Sequence, residues 1–245
     1  MKRISLEPAH VLHRRAYRET SFLVDVFTRD HGRLTLLARG VRKQNSASQG
    51  LLQPFTPLLV SWSGRGELMT LTEVELNGDP YRLQGECLFA GFYLNELMMA
   101  LLHKWDPHPN LFLMYGNTIK SLQEQTLQEK YLRAFEKFLL EELGYGVLPK
   151  SKSQLLATFS AEKYYRFIPE HGFTVTEIAD VSQVRTNIFS GNSLIAIAQE
   201  KWDQDDALSA AKRLMRYVLA PLLGAKQIYS RQLFAKIEPE LALGS

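Results

Sequence analysis

The sequence contains a single cysteine, Cys87, and this scarcity excludes two ways of stabilising a domain. One cysteine cannot form an internal disulfide, and it cannot supply a zinc site built from several cysteines. No histidine lies close to Cys87 in the sequence, so we expect a buried thiol rather than a nucleophile. The cysteine content therefore predicts a protein without structural disulfides or a bound metal.

Long apolar runs and nucleotide-binding loops are absent as well. No stretch of about 18 apolar residues occurs, so we expect no membrane span. The chain turns acidic at Glu7, before a secretion signal could form. No glycine-rich loop ends in Lys-Ser or Lys-Thr, which argues against ATP hydrolysis by that route. These absences predict a cytoplasmic protein that is not an enzyme and carries no cofactor.

Positive charge is concentrated at the start of the chain. Residues 1–50 hold ten Lys/Arg against four Asp/Glu, a net charge of +6. The other 195 residues hold 19 basic and 22 acidic side chains, a net charge of −3. A cluster of like charges repels itself, and a polyanion would relieve that repulsion. The asymmetry therefore indicates a polyanionic partner such as nucleic acid.

The same region is predicted to form β-strands, because apolar and polar residues alternate in short segments. The predicted strands are residues 11–15, 21–28, 33–38, 57–62 and 67–75. Five short strands in about 65 residues predict a small closed barrel, OB-like or SH3-like. Periodicity alone does not distinguish these two barrels.

After residue 80 the apolar period becomes helical, so we predict an α+β protein with a barrel domain (1–80) and a mainly helical domain (81–245). The predicted helices are residues 90–101, 111–123, 128–143, 192–201 and 208–222, with a short one at 230–236. Pro221 is expected to kink or end its helix. For residues 147–185 we predict an excursion that contains a hairpin of residues 164–168 and 173–178.

Basic residues near the predicted turns and strand ends form the candidate nucleic-acid site. The predicted contacts are Arg14, Arg33, Arg39, Arg42, Lys43 and Arg65, with residues 38–46 as a flexible basic loop. Barrels that bind single strands add aromatic rings on which bases stack. The ring candidates are Phe22, Phe27, Phe55 and Trp62, of which Trp62 joins the predicted site. Each ring also suits the barrel core, which needs large side chains.

A second basic strip lies on the predicted third helix, where Lys130, Arg133 and Lys137 share a face at spacing i, i+3, i+7. Glu129 and Glu141 stand four residues from Arg133 and Lys137, which favours a salt-bridged surface. The functional alternative is a binding site for an acidic partner peptide. Lys212, Arg213 and Arg216 form a third basic group with the same two interpretations.

Taken in order, several segments resemble the RecO family of bacterial recombination and DNA-repair mediators. Examples are Gly32-Arg33-Leu34, Leu52-Gln53-Pro54-Phe55 and Leu143-Gly144-Tyr145-Gly146. The other matching segments are residues 19–28, 38–42, 56–58, 93–97, 133–136, 223–226 and 230–233. The resemblance runs from about residue 8 to residue 236, and the ordered set is more specific than any one segment.

The resemblance implies an N-terminal OB-fold, binding of single- and double-stranded DNA, annealing of complementary strands and help in loading the RecA recombinase. It also implies RecR and the acidic tail of single-stranded-DNA-binding protein as partners. Many relatives carry a four-cysteine zinc site after the Gly-Tyr-Gly segment, and residues 147–185 contain no cysteine. We therefore expect the hairpin to be held by packing. The residues alone also allow another class, a non-catalytic protein-interaction scaffold with an RNA-binding barrel.

Overall fold

The computed structural model describes residues 2–43, 47–124, 126–177, 187–204 and 206–234, without the side chains of Lys2 and Ala47. The chain divides into two compact units. One comprises Met1–Leu127 with Gln227–Ser245, and the other comprises Gln128–Lys226. The predicted domain boundary near residue 80 is the point at which the apolar pattern changes from strand-like to helical. It stays a prediction. Within the described ranges, no helix is long and apolar enough to cross a membrane.

The first unit contains a closed five-stranded barrel with the strand order β1-β2-β3-β5-β4. The strands are β1 (Lys2–Tyr17), β2 (Ser21–Thr28), β3 (Gly32–Ala38), β4 (Pro57–Gly64) and β5 (Leu68–Leu76). A short helix α1 (Ala47–Leu51) lies between β3 and β4. β3 and β5 run parallel, and the long β1 closes the barrel by pairing with both β2 and β4. This is the OB topology, which confirms the predicted fold class.

Alternation along the strands builds the barrel core. Val24 and Val26 of β2 pair with Leu36 and Leu34 of β3, and all four side chains are at most 1% exposed. Trp62 of β4 is fully buried among them. Successive side chains of a strand point to opposite faces, so this alternation sends every second residue of β2 and β3 into the core.

β1 is much longer than the predicted segment 11–15. The prediction was too short because the alternation along β1 is interrupted twice. The register shifts between Ile4 and Glu7 and again between Val11 and His13. Each β-bulge adds a residue to one strand and so breaks the period of two. A pattern search over a short window therefore finds only the middle of this strand.

The first unit also contains two longer helices, α2 (Gly85–Leu101) and α3 (Pro109–Ser121). A buried polar chain joins them to the barrel. Tyr115 Oη donates a hydrogen bond to Asn95 Oδ1 at 2.6 Å, and Asn95 Nδ2 donates to the carbonyl oxygen of Leu12 at 2.9 Å. Burial raises the pKa of Tyr115, so its hydroxyl remains a donor. The side chains of Tyr115 and Asn95 are thus both hydrogen-bonded although they are buried, which makes the link stabilising.

The second unit is mainly helical. Its elements are α4 (Glu129–Glu142), α5 (Lys152–Thr158), β6 (Tyr164–Ile168), β7 (Gly172–Thr176), β8 (Ile188–Ser190), α6 (Gly191–Ala198) and α7 (Ala207–Leu223). The predicted hairpin is present as β6 and β7, although the end predicted for its second strand, residue 178, lies outside the described residues. α7 continues for two residues beyond Pro221, because a proline in the last turn removes only one helical hydrogen bond. The last predicted helix is present over residues 230–234, which belong to the first unit, and its predicted end at 236 lies outside the described residues.

Aromatic packing holds the hairpin, as expected for an excursion without cysteine. Phe173 lies 5.2 Å from both Phe159 and Phe167 and 6.3 Å from Phe189, measured between ring centroids. Tyr165 packs edge-on against Phe159 at 5.0 Å. Such pairs add about 0.5–1.5 kcal/mol each beyond the area they bury. These rings fasten the small sheet β7-β6-β8 to the second unit.

Candidate nucleic-acid groove

A groove with a volume of about 1240 Å³ opens at the rim of the barrel, where β1 turns into β2 and where β3 ends. At its edge, Gly40 has a φ of 70°, which lets the chain leave β3 in a sharp turn. We call this cleft the basic groove. It is lined by Tyr17, Arg18, Glu19, Thr20, Ser21, Leu37, Arg39, Gly40, Arg42 and Lys43.

Arg42 attaches the segment after β3 to the turn between β1 and β2. Its backbone N–H donates to the carbonyl oxygen of Thr20 at 2.9 Å, and its Nη1 donates to the carbonyl oxygen of Arg18 at 2.9 Å. The backbone N–H of Lys43 donates to the carbonyl oxygen of Gly40 at 3.2 Å. These bonds set the shape of the basic groove, so Arg42 both charges and positions it.

The groove is strongly positive. Among the described residues that line it, Arg18, Arg39, Arg42 and Lys43 are cationic and Glu19 is the one acid. Arg18, Arg39, Arg42 and Lys43 are all exposed to solvent. A cleft lined by one sign of charge focuses the field and raises the local concentration of counter-ions such as phosphates. The predicted residues Arg39, Arg42 and Lys43 are thus brought together.

Arg14 stands next to this group, because it shares an aromatic partner with Arg42. The Arg14 guanidinium carbon lies 4.9 Å from the centre of the Phe22 ring, and that of Arg42 lies 5.8 Å from it. Arg14 Nη1 also donates to the carbonyl oxygen of Gln49 at 3.1 Å, and burial lowers the pKa of its guanidinium. Phe22 is therefore covered by arginines rather than open to a base.

Arg33 has a structural role that its sequence position did not reveal. Its Nε and Nη2 both donate to the carbonyl oxygen of Leu102, at 3.1 and 3.0 Å, just beyond the end of α2. Burial lowers the pKa of this guanidinium. A cation that satisfies a helix C-terminal carbonyl in this way anchors the helix to the barrel. Arg33 therefore leaves the candidate site.

Arg65 is exposed in the turn between β4 and β5, away from the basic groove. Gly64 pairs with Lys2 at the beginning of β1, whereas Tyr17 of the groove is the last residue of that strand. The structure thus separates Arg65 from Arg39, Arg42 and Lys43.

Trp62 is fully buried in the barrel core, where no base can stack on it, so its assignment to the site is wrong. The ring of His31 packs edge-on against it at 5.3 Å. Phe27 and Phe55 are buried as well, at 0% and 4% exposure. Trp62 fills the barrel interior, which needs large side chains. Phe27 packs instead against Phe112 of α3 at 5.8 Å, and Phe55 packs against Phe92 of α2 at 5.3 Å.

Tyr17 and Arg18 are groove residues that the sequence predictions missed. Arg18 has a φ of 52°, a left-handed conformation that is uncommon outside glycine, and its guanidinium carbon lies 5.4 Å from the Tyr17 ring centre. The sequence does contain a feature that could have identified them. Tyr17 is an aromatic residue among arginines, shortly before the strand predicted to begin at residue 21.

The basic strip of α4 is largely occupied by internal ion pairs. Arg133 Nη1 lies 3.0 Å from Glu136 Oε2, with both side chains almost fully buried. Lys137 Nζ lies 3.2 Å from Glu141 Oε1 and 2.8 Å from Glu200 Oε1. Burial alone would lower the pKa of Lys137, but the hydrogen bonds and charges of Glu200 and Glu141 outweigh it and raise the pKa. The interpretation as a salt-bridged surface fits these contacts.

Lys130, the third member of the strip, is half-buried, and its Nζ lies 5.5 Å from the Tyr131 ring. The expected pair of Glu129 with Arg133 is replaced by another contact, since Glu129 Oε1 lies 2.9 Å from Lys212 Nζ. A helix face can pair with a neighbouring helix as readily as with itself, which sequence spacing does not show.

A separate pocket of about 350 Å³ in the second unit carries exposed lysines. Lys150, Lys152 and Lys201 form its rim, and the buried Leu155 is part of its floor. Pro149, Ala198 and Gln199 complete the lining. We call it the lysine pocket. A concave apolar floor with cations at its edge suits a ligand that is apolar at one point and negatively charged around it.

The described part of the chain contains no cluster of three or more His, Cys, Asp or Glu side chains that could hold a metal ion. Cys87 is buried, its Sγ donates to the carbonyl oxygen of Glu124 at 3.4 Å, and burial raises the pKa of its thiol. A buried thiol with a raised pKa is a packing residue, as predicted.

A closed five-stranded OB barrel with a cationic groove at its rim, in a chain that continues into a mainly helical unit, defines the protein as an OB-fold protein. The particular family follows from comparison. Residues 1–78 match the model of the recombination protein O N-terminal domain, and residues 82–166 match that of its C-terminal domain. The chain belongs to the RecO family.

Full-length relatives agree with this assignment. The chain is similar to DNA repair protein RecO of Coxiella burnetii, with 45% identity over 95% of this chain and 98% of that protein. It is 43% identical to DNA repair protein RecO of Pseudoalteromonas atlantica, over 92% of each chain. It is 37% identical to DNA repair protein RecO of Azoarcus sp., over 96% of this chain and 97% of that protein.

Proposed function

We propose that the protein is a cytoplasmic mediator of DNA repair and homologous recombination that binds single- and double-stranded DNA, anneals complementary strands and assists RecA loading. The observation that carries this proposal is the basic groove, in which four cationic side chains face one acid at the rim of an OB barrel. Membership of the RecO family and the similarity to DNA repair proteins support it.

Annealing follows from charge neutralisation. Two strands repel each other through their phosphates, and cationic side chains that replace condensed counter-ions reduce that repulsion while ions are released. Arg39 and Lys43 are exposed and contact phosphate, whereas Arg42 also holds the groove in shape. Pairing of bases then proceeds without a covalent step, so the proposed role is not enzymatic.

The test is a double charge reversal, Arg39→Glu with Lys43→Glu. We expect at least a 100-fold loss of affinity for single-stranded DNA and a matching loss of annealing rate, since two attractive contacts become repulsive. Fluorescence anisotropy and a strand-annealing assay measure these effects. The matched control is Lys163→Glu with Arg166→Glu, two exposed cations of the second unit with the same charge change. Equal affinity of both double variants would refute the groove as the DNA site.

The acidic tail of single-stranded-DNA-binding protein is the proposed partner of the second unit. The lysine pocket suits it better than the α4 strip, because Arg133 and Lys137 are already paired with internal carboxylates. Lys152 and Lys201 are exposed, and Lys150, 73% exposed, lies 3.8 Å from Glu141. RecR and, indirectly, RecA complete the proposed set of partners.

A further inference from the structure

Tyr17 occupies a distinctive place in the basic groove. It is the last residue of β1 and pairs with Ser21, the first residue of β2, across a three-residue turn. Its ring is half-exposed and belongs to the groove lining. Its backbone belongs to β1 and pairs with β2, so the ring is presented by the end of a paired strand rather than by a loop.

The other rings near the groove cannot take the same role. Phe22 lies beneath the guanidinium groups of Arg14 and Arg42. Trp62 and Phe27 are fully buried. Among the described residues that line the groove, Tyr17 is the one with an aromatic side chain.

We propose that Tyr17 is the base-stacking platform of the basic groove and makes it prefer single strands, whose bases are unpaired, over duplex. This inference rests on the proposed DNA-binding function and adds the substrate preference of the same site. A stacked base needs an open ring face with cations nearby for its phosphates, and Arg18 and Arg39 line the same groove. The exposed Arg18 side chain, now 5.4 Å from the ring centre, can turn to a phosphate while a base takes its place.

A duplex cannot use this contact, because its bases are already stacked and paired inside the helix. It meets the groove only through phosphates, which carry no information about whether the bases are free. Removal of the ring is therefore expected to weaken binding of single strands selectively. Loss of one stacked base corresponds to about a 5- to 150-fold loss of affinity.

The experiment compares Tyr17→Ala, Tyr17→Trp and the unaltered protein on a single strand and on a duplex of the same sequence. For Tyr17→Ala we expect a 5- to 150-fold weaker single-strand complex and duplex affinity within about twofold. The slope of log affinity against log salt should stay unchanged, since no phosphate contact is lost. Tyr17→Trp should retain the preference because it keeps a ring.

A 2-aminopurine base in the single strand reports stacking directly. Its fluorescence should be quenched by the unaltered protein and by Tyr17→Trp, and not by Tyr17→Ala. Tyr145→Ala, which removes a 51% exposed tyrosine of the second unit, is the matched control and should leave every reading unchanged. Circular dichroism melting confirms folding, and Tyr17→Leu, which keeps the apolar bulk without a ring, replaces Tyr17→Ala if that variant unfolds.

Two results would overturn the inference: an equal loss on single strand and duplex, or a ringless variant that still quenches 2-aminopurine. If Arg39→Glu with Lys43→Glu abolishes binding while Tyr17→Ala binds normally, the groove remains the DNA site and only the stacking role of Tyr17 is refuted. If the unaltered protein binds no DNA, the proposed function and this inference fall together.

Discussion

At the scale of single residues, His10 shows how the barrel unit uses a polar side chain as packing. It is 5% exposed, and its ring lies 4.8 Å from that of Phe112 and 5.0 Å from that of Tyr115. Burial lowers the pKa of His10 to about 4. The folded protein therefore holds this imidazole in its neutral form, whereas the unfolded chain protonates it near pH 6.5.

This difference predicts a stability that depends on pH. Between pH 6.5 and about 4 the unfolded chain binds a proton that the folded protein refuses, so the free energy of unfolding falls as pH falls. We expect His10 to account for a loss of roughly 2 kcal/mol between pH 7 and pH 5. Urea unfolding at the two pH values measures it.

Replacement of the His10 imidazole isolates its contribution to the pH dependence of the free energy of unfolding. His10→Phe should lose less stability between pH 7 and pH 5 than the unaltered protein does. The same fall in stability for His10→Phe as for the unaltered protein would contradict the assignment.

At the scale of secondary-structure elements, regular periodicity made several elements readable. β2 spans Ser21–Thr28, the predicted range, because its alternation is uninterrupted. α4 begins and ends within one residue of the predicted 128–143. β1 was under-predicted because its two bulges interrupt the alternation. The local sequence does not state where a bulge lies, since its position depends on the strand opposite.

Site residues were less predictable than elements, for a related reason. Arg39, Arg42 and Lys43 line one groove, which their sequence positions made predictable because they follow a strand closely. Their role as DNA contacts stays a prediction. Arg33 and Trp62 were misassigned because their roles depend on partners distant in sequence, the carbonyl of Leu102 and the barrel core. Side-chain chemistry indicates what a residue can bind, whereas burial and neighbours determine which partner it meets.

The comparison of α4 with the lysine pocket gives a prediction at this scale. Lys152→Ala with Lys201→Ala should weaken binding of an acidic peptide with an apolar C-terminal residue by about tenfold, because charge-assisted contacts contribute roughly 1.5–3 kcal/mol each before solvent screening. Lys130→Ala on α4 is the matched control and should bind normally. Fluorescence anisotropy of a labelled peptide measures both.

The opposite ranking, with Lys130→Ala defective and the pocket variant unaffected, would return the peptide site to α4. A loss in neither variant would place the site elsewhere on the second unit.

At the scale of the whole molecule, the charge asymmetry has a definite location. The net charge of +6 in residues 1–50 converges in part on one rim of the barrel, where Arg18, Arg39, Arg42 and Lys43 line the basic groove. Other cations of this segment have other roles, since Arg33 anchors α2 and Arg29 pairs with Asp30 at 2.9 Å. The charge excess therefore overstates the number of cations available to a ligand.

This distribution predicts a moderate salt dependence. Four phosphate contacts on a single strand give a slope of log affinity against log salt near −3, equivalent to about a 50-fold loss between 50 and 200 mM salt. Anisotropy titrations at five salt concentrations measure the slope. A slope of about −4 or steeper would bring further cations such as Arg14 or Arg65 into contact, and a flat line would exclude phosphate binding by the groove.

The barrel strands, the helical segments, the concentration of charge and the family resemblance were readable from the sequence, because periodicity, composition and ordered motifs are properties of the chain. Which cations meet, which rings are buried and which basic strip is already paired became visible only in the folded structure. Those outcomes depend on strand register, closure of the barrel and side-chain packing, which join residues far apart in sequence. Tyr17 became a candidate only because the barrel core buries Trp62 and the helices α3 and α2 cover Phe27 and Phe55.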